Sequence, residues 1–441
     1  MIESLSRLPK VPADRLARPF MRFLRIEAMA GAVLLLSTLL ALALANSPWS
    51  VPFLALWDTH VGILLGSIEI SRSLKHWIND GLMTLFFFVI ALELKRELVL
   101  GELRDLRVAA LPVAAAIGGM IAPVSVFLLV VDGGPGKSGW GTVMSTDTAF
   151  VIGCLAVLGS RIPQNLRLFL LSLAIFDDVG AILVVAVGYG GHPNWLALGA
   201  AGLGLMTVAT IARLGVRGLP VYFALGGGIW LALDVSGIHA TLTGVILGLM
   251  TPARSWVSDR RLHAILSRVI AYPPGNHWSG DRTARRDLHR AGIATREALS
   301  PIERLEIALH PWVAFAILPL FALANAGVPV RGTEFDPRLT TAIFAAFVIG
   351  KPVGVILFSY VAVKSRLGIR PSELSWGLLA AGGLLTGIGF TMALFIADLA
   401  FEAALLNSVK LGVLGASVIS AAMGLVLLTW LTSAGRSAAR T

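Results

Sequence analysis

Apolar runs of about twenty residues, separated by short polar or basic stretches, fill almost the whole chain. Twelve can be marked, near 27–45, 81–101, 108–131, 142–159, 168–190, 195–212, 219–234, 237–252, 308–327, 339–363, 376–399 and 408–432. A helix of ~20 apolar residues crosses a hydrocarbon core of ~30 Å, so each run predicts a membrane-spanning helix. The seventh and eighth are short and closely joined, so the count could fall by one or two. The expected architecture is all-α and polytopic, one transmembrane domain over 1–432. Its polar parts are a lead at 1–26, an outer loop at 46–78, a long basic loop at 253–303 and a tail at 433–441.

Composition agrees. Of 441 residues 56% are hydrophobic and 14% charged, and the mean hydropathy is +0.80. Soluble domains carry roughly a quarter charged residues, which excludes that class. The single Cys154 has no partner for a disulfide within the chain and reads as packing. "ALALANS" near residue 45 resembles a signal-cleavage site. The basic lead (Arg7, Lys10, Arg15, Arg18, Arg22, Arg25) and a nineteen-residue apolar run instead make this the first span.

The formal charge of +10 sets orientation. An even number of spans puts both termini on one side, and 29 of the 36 Lys and Arg fall in the lead, the tail and alternate loops of that side. The positive-inside rule makes that side cytoplasmic. The multi-pass protein is therefore expected in a bacterial inner membrane, with membrane lipid as its surroundings. Trp140, Trp195, Trp376 and Trp430 near span ends match an interfacial aromatic belt. The basic stretch Arg254 to Arg304 reads as a cytoplasmic loop, with no fold beside it that binds nucleic acid. "GGPGKSG" at 133–139 lacks the first glycine and the preceding strand of a phosphate loop, so no nucleotide is expected.

Four ionisable residues lie deep in apolar runs: Asp147, Asp177, Asp178 and Lys351. Insertion costs roughly 2.5 to 3.5 kcal/mol for one Asp at the bilayer centre, so the adjacent pair opposes insertion by about 5 to 7 kcal/mol. A cavity, a cation, protons or a cationic partner must offset that cost. Burial and like charge favour a protonated carboxyl and a bound cation favours the ionised form, so protons and a cation compete for the same oxygens. A small hard cation, Na+ or Li+, suits carboxylate and hydroxyl oxygens at Asp177 and Asp178. Lys351 has two readings: counter-ion to one aspartate, or a proton exchanger itself. An inert salt-bridge cluster is the bland alternative, but three acids do not neutralise against one base.

Asp147 sits in "STDTAF" beside Thr146, among small polar residues that favour an interrupted helix. Gly387 and Gly389 in "TGIGFTMALF" mark a second interruption in the eleventh run. Two interrupted spans seven positions apart are what an inverted-repeat transporter would show.

At these residues the chain strongly resembles the NhaA-type Na+/H+ antiporter family. The matching stretches include "NDGLMTLFFFVIALELKREL" (79–98), "AAAIGGMIAP" (114–123), "STDTAFVIGCLAVLGSRIP" (145–163), "LAIFDDVGAI" (173–182), "SGIHATLTGVILG" (236–248), "HPWVAFAILPLFALANAGV" (310–328), "GKPVG" (350–354) and "GIGFTMALFIA" (387–397). The resemblance implies twelve helices in inverted repeats, with spans 4 and 11 unwound where they cross. It implies Asp178 and Asp177 as carriers, Thr146 and Asp147 as support, and Lys351 as partner of Asp177 or balance for helix ends. Glu93, Arg96, Glu97, Glu306 and His310 would form a pH-responsive cytoplasmic entrance, and His239 is grouped with them. A homodimer contact through 46–78 follows likewise, and no cofactor is implied. Two departures are Ile307, where several relatives carry histidine, and the long basic loop. From spacing alone, Glu93, Arg96 and Glu97 fit a solvated ion-pair cluster equally well, and His239 a hydrogen-bonded structural histidine.

The expected function is secondary Na+(Li+)/H+ exchange, electrogenic and pH-regulated. The alternative is a sodium-coupled organic-anion symporter of related fold. An intramembrane aspartyl protease needs two facing carboxylates that share a proton, which adjacent aspartates do not supply. No enzyme activity is expected.

Overall fold

In hydrocarbon, a single segment satisfies its own backbone only as a helix, and every long apolar run takes that form. The computed structural model describes residues 27–65, 68–101, 106–134, 136–190, 193–216, 218–270, 282–330 and 335–438. The basic lead at 1–26, the middle of the basic loop and the last three residues of the tail lie outside the described residues.

Helix α1 (Glu27–Ala45) turns by 115° into α2 (Ser50–Asp58). Asn46 fixes the corner: its amide donates to the carbonyls of Leu42 and Val328, and its side-chain oxygen accepts from Val330 N–H. The outer segment expected as a loop holds α2 and an antiparallel hairpin, β1 (His60–Leu65) on β2 (Ile68–Ser73). Ser73 then caps α3 (Leu74–Val99), which begins earlier than hydropathy suggests because its first polar turns are partnered. The chain continues through α4 (Leu106–Val131), a 3-10 helix at Lys137–Val143, α5 (Thr148–Leu158) and α6 (Gln164–Gly188). Next come α7 (Trp195–Arg213), α8 (Leu219–Ser236) and α9 (Leu242–Met250).

The basic loop forms two helices, α10 (Asp259–Ile270) and α11 (Arg282–Ala298). The last group is α12 (Pro301–Asn325), α13 (Pro337–Lys364), α14 (Trp376–Leu385), α15 (Phe390–Ala400) and α16 (Ala403–Ala438). Among the described residues, nine helices are long and apolar enough to span, and two bent pairs raise the count to eleven. The eighth expected span, 237–252, yields only the nine-residue α9, ~14 Å long at 1.5 Å per residue. Gly237, at φ +80°, ends α8, and a turn precedes α9. The expected count of about twelve thus falls at the short eighth run, one of the two places where the sequence allowed it to fall.

A buried apolar core runs from Leu34 to Leu428, and a separate cluster of Ala201, Val208, Ile229 and Leu233 joins α7 to α8. The outer faces stay apolar: Val187 and Leu196 are 87% exposed, as lipid-facing side chains in a bilayer are. This is an all-α polytopic membrane protein with two bent helix pairs.

Helices α4 and α13 approach backbone to backbone. A Cβ on Gly354 would lie 2.0 Å from the Gly118 carbonyl oxygen, and one on Gly118 2.3 Å from that of Gly354. Gly354→Ala should therefore destabilise the protein by about 1–3 kcal/mol through overpacking, read as a lower thermal midpoint of the purified protein. An unchanged midpoint would show that the two helices can part without cost.

Candidate functional site

The site begins where two helices break. Residues 145–147 leave the helix between the 3-10 helix and α5, and residues 386–389 separate α14 from α15, which are bent 48° to each other. Gly387 and Gly389 fit there because any side chain would meet Ser420 Oγ at 2.4 Å or the Phe347 ring at 2.4 Å. Asp147 joins the two breaks. Its N–H donates to the Ile388 carbonyl at 2.6 Å. One carboxylate oxygen accepts from Phe150 N–H of α5 at 3.1 Å. The other accepts from Thr391 N–H and Thr391 Oγ1 of α15, at 2.9 and 2.6 Å. One carboxylate thus caps two half-helices and faces two positive helix ends. With both oxygens so engaged, Asp147 is not placed to share a proton across a protease-like dyad.

Helix α6 brings Asp177 and Asp178 to the crossing, both buried. Asp177 Oδ2 accepts from Thr146 Oγ1 at 2.6 Å and lies 3.0 Å from Lys351 Nζ. Lys351 is fully buried, directly after a wide π-helical turn at Ala346–Gly350, and also donates to the Met144 carbonyl. The cation therefore meets both an aspartate and the carbonyl end of the 3-10 helix. Thr146 Oγ1 also lies 3.0 Å from the Thr386 carbonyl, so one hydroxyl proton faces two acceptors. Asp178 differs: Oδ2 has only Thr148 Oγ1 at 3.4 Å, and Oδ1 has no hydrogen-bond partner among the described residues. Asp177 Oδ1 is likewise without one. The least-partnered buried oxygens are those a cation or proton would take.

An apolar cavity of about 600 Å³ lies elsewhere, among α3, α7, α8, α9 and the start of α12, and its lining includes none of Asp147, Asp177, Asp178 or Lys351.

Comparison of the sequence with known proteins gives this site its family context. The profile of the family described as "Na+/H+ antiporter 1" matches residues 21–428. The chain belongs to this family. It is 73% identical over 436 residues to the Na+/H+ antiporter NhaA of Rhizobium meliloti, covering 99% of this chain and all of the relative. It is 59% identical to Na+/H+ antiporter NhaA 2 of Acidiphilium cryptum, over 96% of this chain and 94% of the relative. With Na+/H+ antiporter NhaA 2 of Vibrio vulnificus it shares 52% identity, over 97% and 96%.

In this antiporter-family chain the expected entrance residues meet where α3 ends and α12 begins. Arg96 pairs with Glu306 and, at 3.0 Å, with Glu97, while His310 Nε2 stands 4.0 Å from Glu93 Oε1. The cluster thus ties two helices together, beyond an ion-pair row along one. His239 does not belong to it. It lies before α9 with Nε2 2.7 Å from the Tyr189 carbonyl, whereas Lys95 of α3 caps the other end of α9 through the Leu249 and Thr251 carbonyls. His239 is therefore at the opposite end of the molecule from Glu93 and Glu306, a correction to its grouping with them.

Sequence reading missed a polar network at that opposite end. His76 bridges Asp80, at 3.2 Å, and Asp234, at 3.3 Å, while Arg72 holds Asp234 at 3.0 Å. Lys75 pairs with Asp398 at the end of α15, and Asn79 donates to Asp398 at 2.8 Å and accepts from Asn325 at 2.7 Å. The i, i+4 spacing of His76 and Asp80 was the available signal. Thr386 and Thr391 were also missed, whereas Thr148 stood among the small polar residues at the first break.

Removing one member of the buried Lys351–Asp177 pair leaves the other uncompensated, which costs about 3–5 kcal/mol. Lys351→Ala should lower the thermal midpoint of purified protein, and adding Asp177→Asn should restore part of it. Additive losses in the double variant would show that the pair is not coupled.

Proposed function

We propose that this protein exchanges Na+ or Li+ for protons at Asp177 and Asp178 by alternating access, in an inner membrane with its arginine-rich loops and termini cytoplasmic. The carrying observation is that buried Asp178 keeps an oxygen with no hydrogen-bond partner among the described residues, beside a second carboxylate. A small cation bound there would displace a proton, and a proton returning would displace the cation. The shared name of the relatives, Na+/H+ antiporter, supports the same ions here.

Asp177 supports a second proton. When protonated it donates to Thr146 Oγ1, freeing that hydroxyl's proton for the Thr386 carbonyl; when ionised it takes the Thr146 proton and relies on Lys351. Its protonation thus reaches the crossing directly. Two protons for each Na+ would move one net charge per cycle, coupled to the membrane potential at about 2.3 kcal/mol per 100 mV. The α7–α8 cluster, separate from the main core, supports one bundle moving against another. The Arg96–Glu306 cluster lies where cytoplasmic cations would enter, and supports a role in pH response. A β-hairpin is marginal alone, so β1 and β2 support contact with a second copy.

Everted vesicles containing the protein and a pH-sensitive dye test this reading. NaCl and LiCl should release protons and KCl should not. An equal response to all three salts, or none, would sink it.

A further inference from the structure

Ion exchange at the crossing makes no use of one large element, the helical insert between α9 and α12. We propose that α10 and α11 form a docking surface for anionic phospholipid headgroups on the cytoplasmic face of the bilayer, an inference that takes only its orientation from the exchange reading.

Position comes first. Two residues separate Ala298, at the end of α11, from Pro301, at the start of α12, a reach of at most ~11 Å. The junction is pinned as well. Ser300 and Glu303 form a reciprocal cap on α12, Arg304 holds Glu297 at 2.9 Å, and Val257 N–H donates to the Glu297 carbonyl at 3.3 Å. The insert therefore stays at the level where a spanning helix leaves the membrane.

Charge comes next. Residues 253–300 contain nine arginines, no lysine and four acids. Arginine's planar fork matches phosphate oxygens in pairs, which a lysine ammonium does not. At ~100° per residue, Arg285, His289 and Arg296 share one strip of α11, with Leu288 along its edge and Leu299 directly after its last residue. The three polar residues are exposed, and the two leucines are 45% and 44% exposed. The inward face carries the buried alanines Ala291 and Ala294. A cationic strip bordered by exposed leucines is the pattern of a helix lying in the membrane interface, with cations on phosphates and leucines at the acyl boundary. An acidic protein would use the arginines but gives no reason for the leucines to stand beside them at bilayer level.

The test uses the full chain in nanodiscs. On a Cys154→Ser background, Leu288→Cys carries a polarity-sensitive fluorophore, and phosphatidylglycerol replaces phosphatidylcholine stepwise. The emission should shift to shorter wavelength as phosphatidylglycerol rises, revert in high salt, and stay solvent-like when Arg285, Arg286 and Arg296 are all changed to Gln. That variant should keep the parent's thermal midpoint, which excludes misfolding as the cause. Identical emission in neutral and anionic discs would overturn the proposal, as would a triple variant that shifts like the parent. A shift produced only by added cytosolic protein would assign the surface to a protein partner and overturn it equally.

Discussion

Asp178→Asn abolishes Na+- and Li+-driven proton release in everted vesicles, down to the level of vesicles lacking the protein, without unfolding it. The substitution is nearly isosteric, and the structural contacts it disturbs are slight: one long approach from Thr148 at 3.4 Å, and one oxygen with no partner among the described residues. It removes the only properties exchange needs from this group, a charge that holds a cation and an oxygen that takes a proton. A buried carboxylate with so few partners is also costly to keep, so the Asn variant should melt no lower than the parent protein. Thermal unfolding of the purified variant beside its vesicle assay checks both halves. Near-normal exchange would remove Asp178 from the site.

Asp147 is expected to behave in the opposite way. Asp147→Ala deprives Phe150 N–H, Thr391 N–H and the Thr391 hydroxyl of their acceptor. Two N-caps are lost, each worth about 0.5–2 kcal/mol. The expected destabilisation is roughly 1–4 kcal/mol, with exchange lost because the crossing of the two breaks no longer holds its shape. Asp147→Asn keeps one acceptor oxygen and should fall between, with reduced stability and measurable exchange. Equal stability of all three proteins, with exchange lost in both variants, would make Asp147 a carrier of ions rather than the joint of the two helices.

The charged centre was legible in the sequence because ionisable residues in apolar runs are expensive and therefore few. Asp147, Asp177, Asp178 and Lys351 stood out on that ground alone, and the structure brings all four together at one crossing. The two breaks were legible too, one from Thr146 and its small polar neighbours, the other from Gly387 and Gly389. What joins the breaks was not. Asp147 and Thr391 are 244 residues apart, and no local spacing announces a carboxylate that caps a helix in the other half of the chain. The eighth run was already short in the sequence, but hydropathy counts apolar residues and did not show that α9 starts only after the turn that follows Gly237. The pairing of Lys75 with Asp398 was hidden for the same reason as the Asp147 cap, since it depends on tertiary proximity. His239 was placed by family resemblance at the wrong end. Alternation of spans already puts the start of the eighth span opposite the end of the second, where Glu93 lies.

Competition between protons and Na+ for one carboxylate pair is the centre of this account. Its most direct measurement is the initial rate of Na+-driven proton movement in proteoliposomes, as Na+ is varied at a series of pH values. Competition predicts an apparent Na+ KM that rises roughly tenfold per pH unit of acidification for each competing proton, with an unchanged maximal rate. A KM independent of pH, with only the maximal rate changing, would mean that the two ions do not share Asp177 and Asp178, and would contradict it.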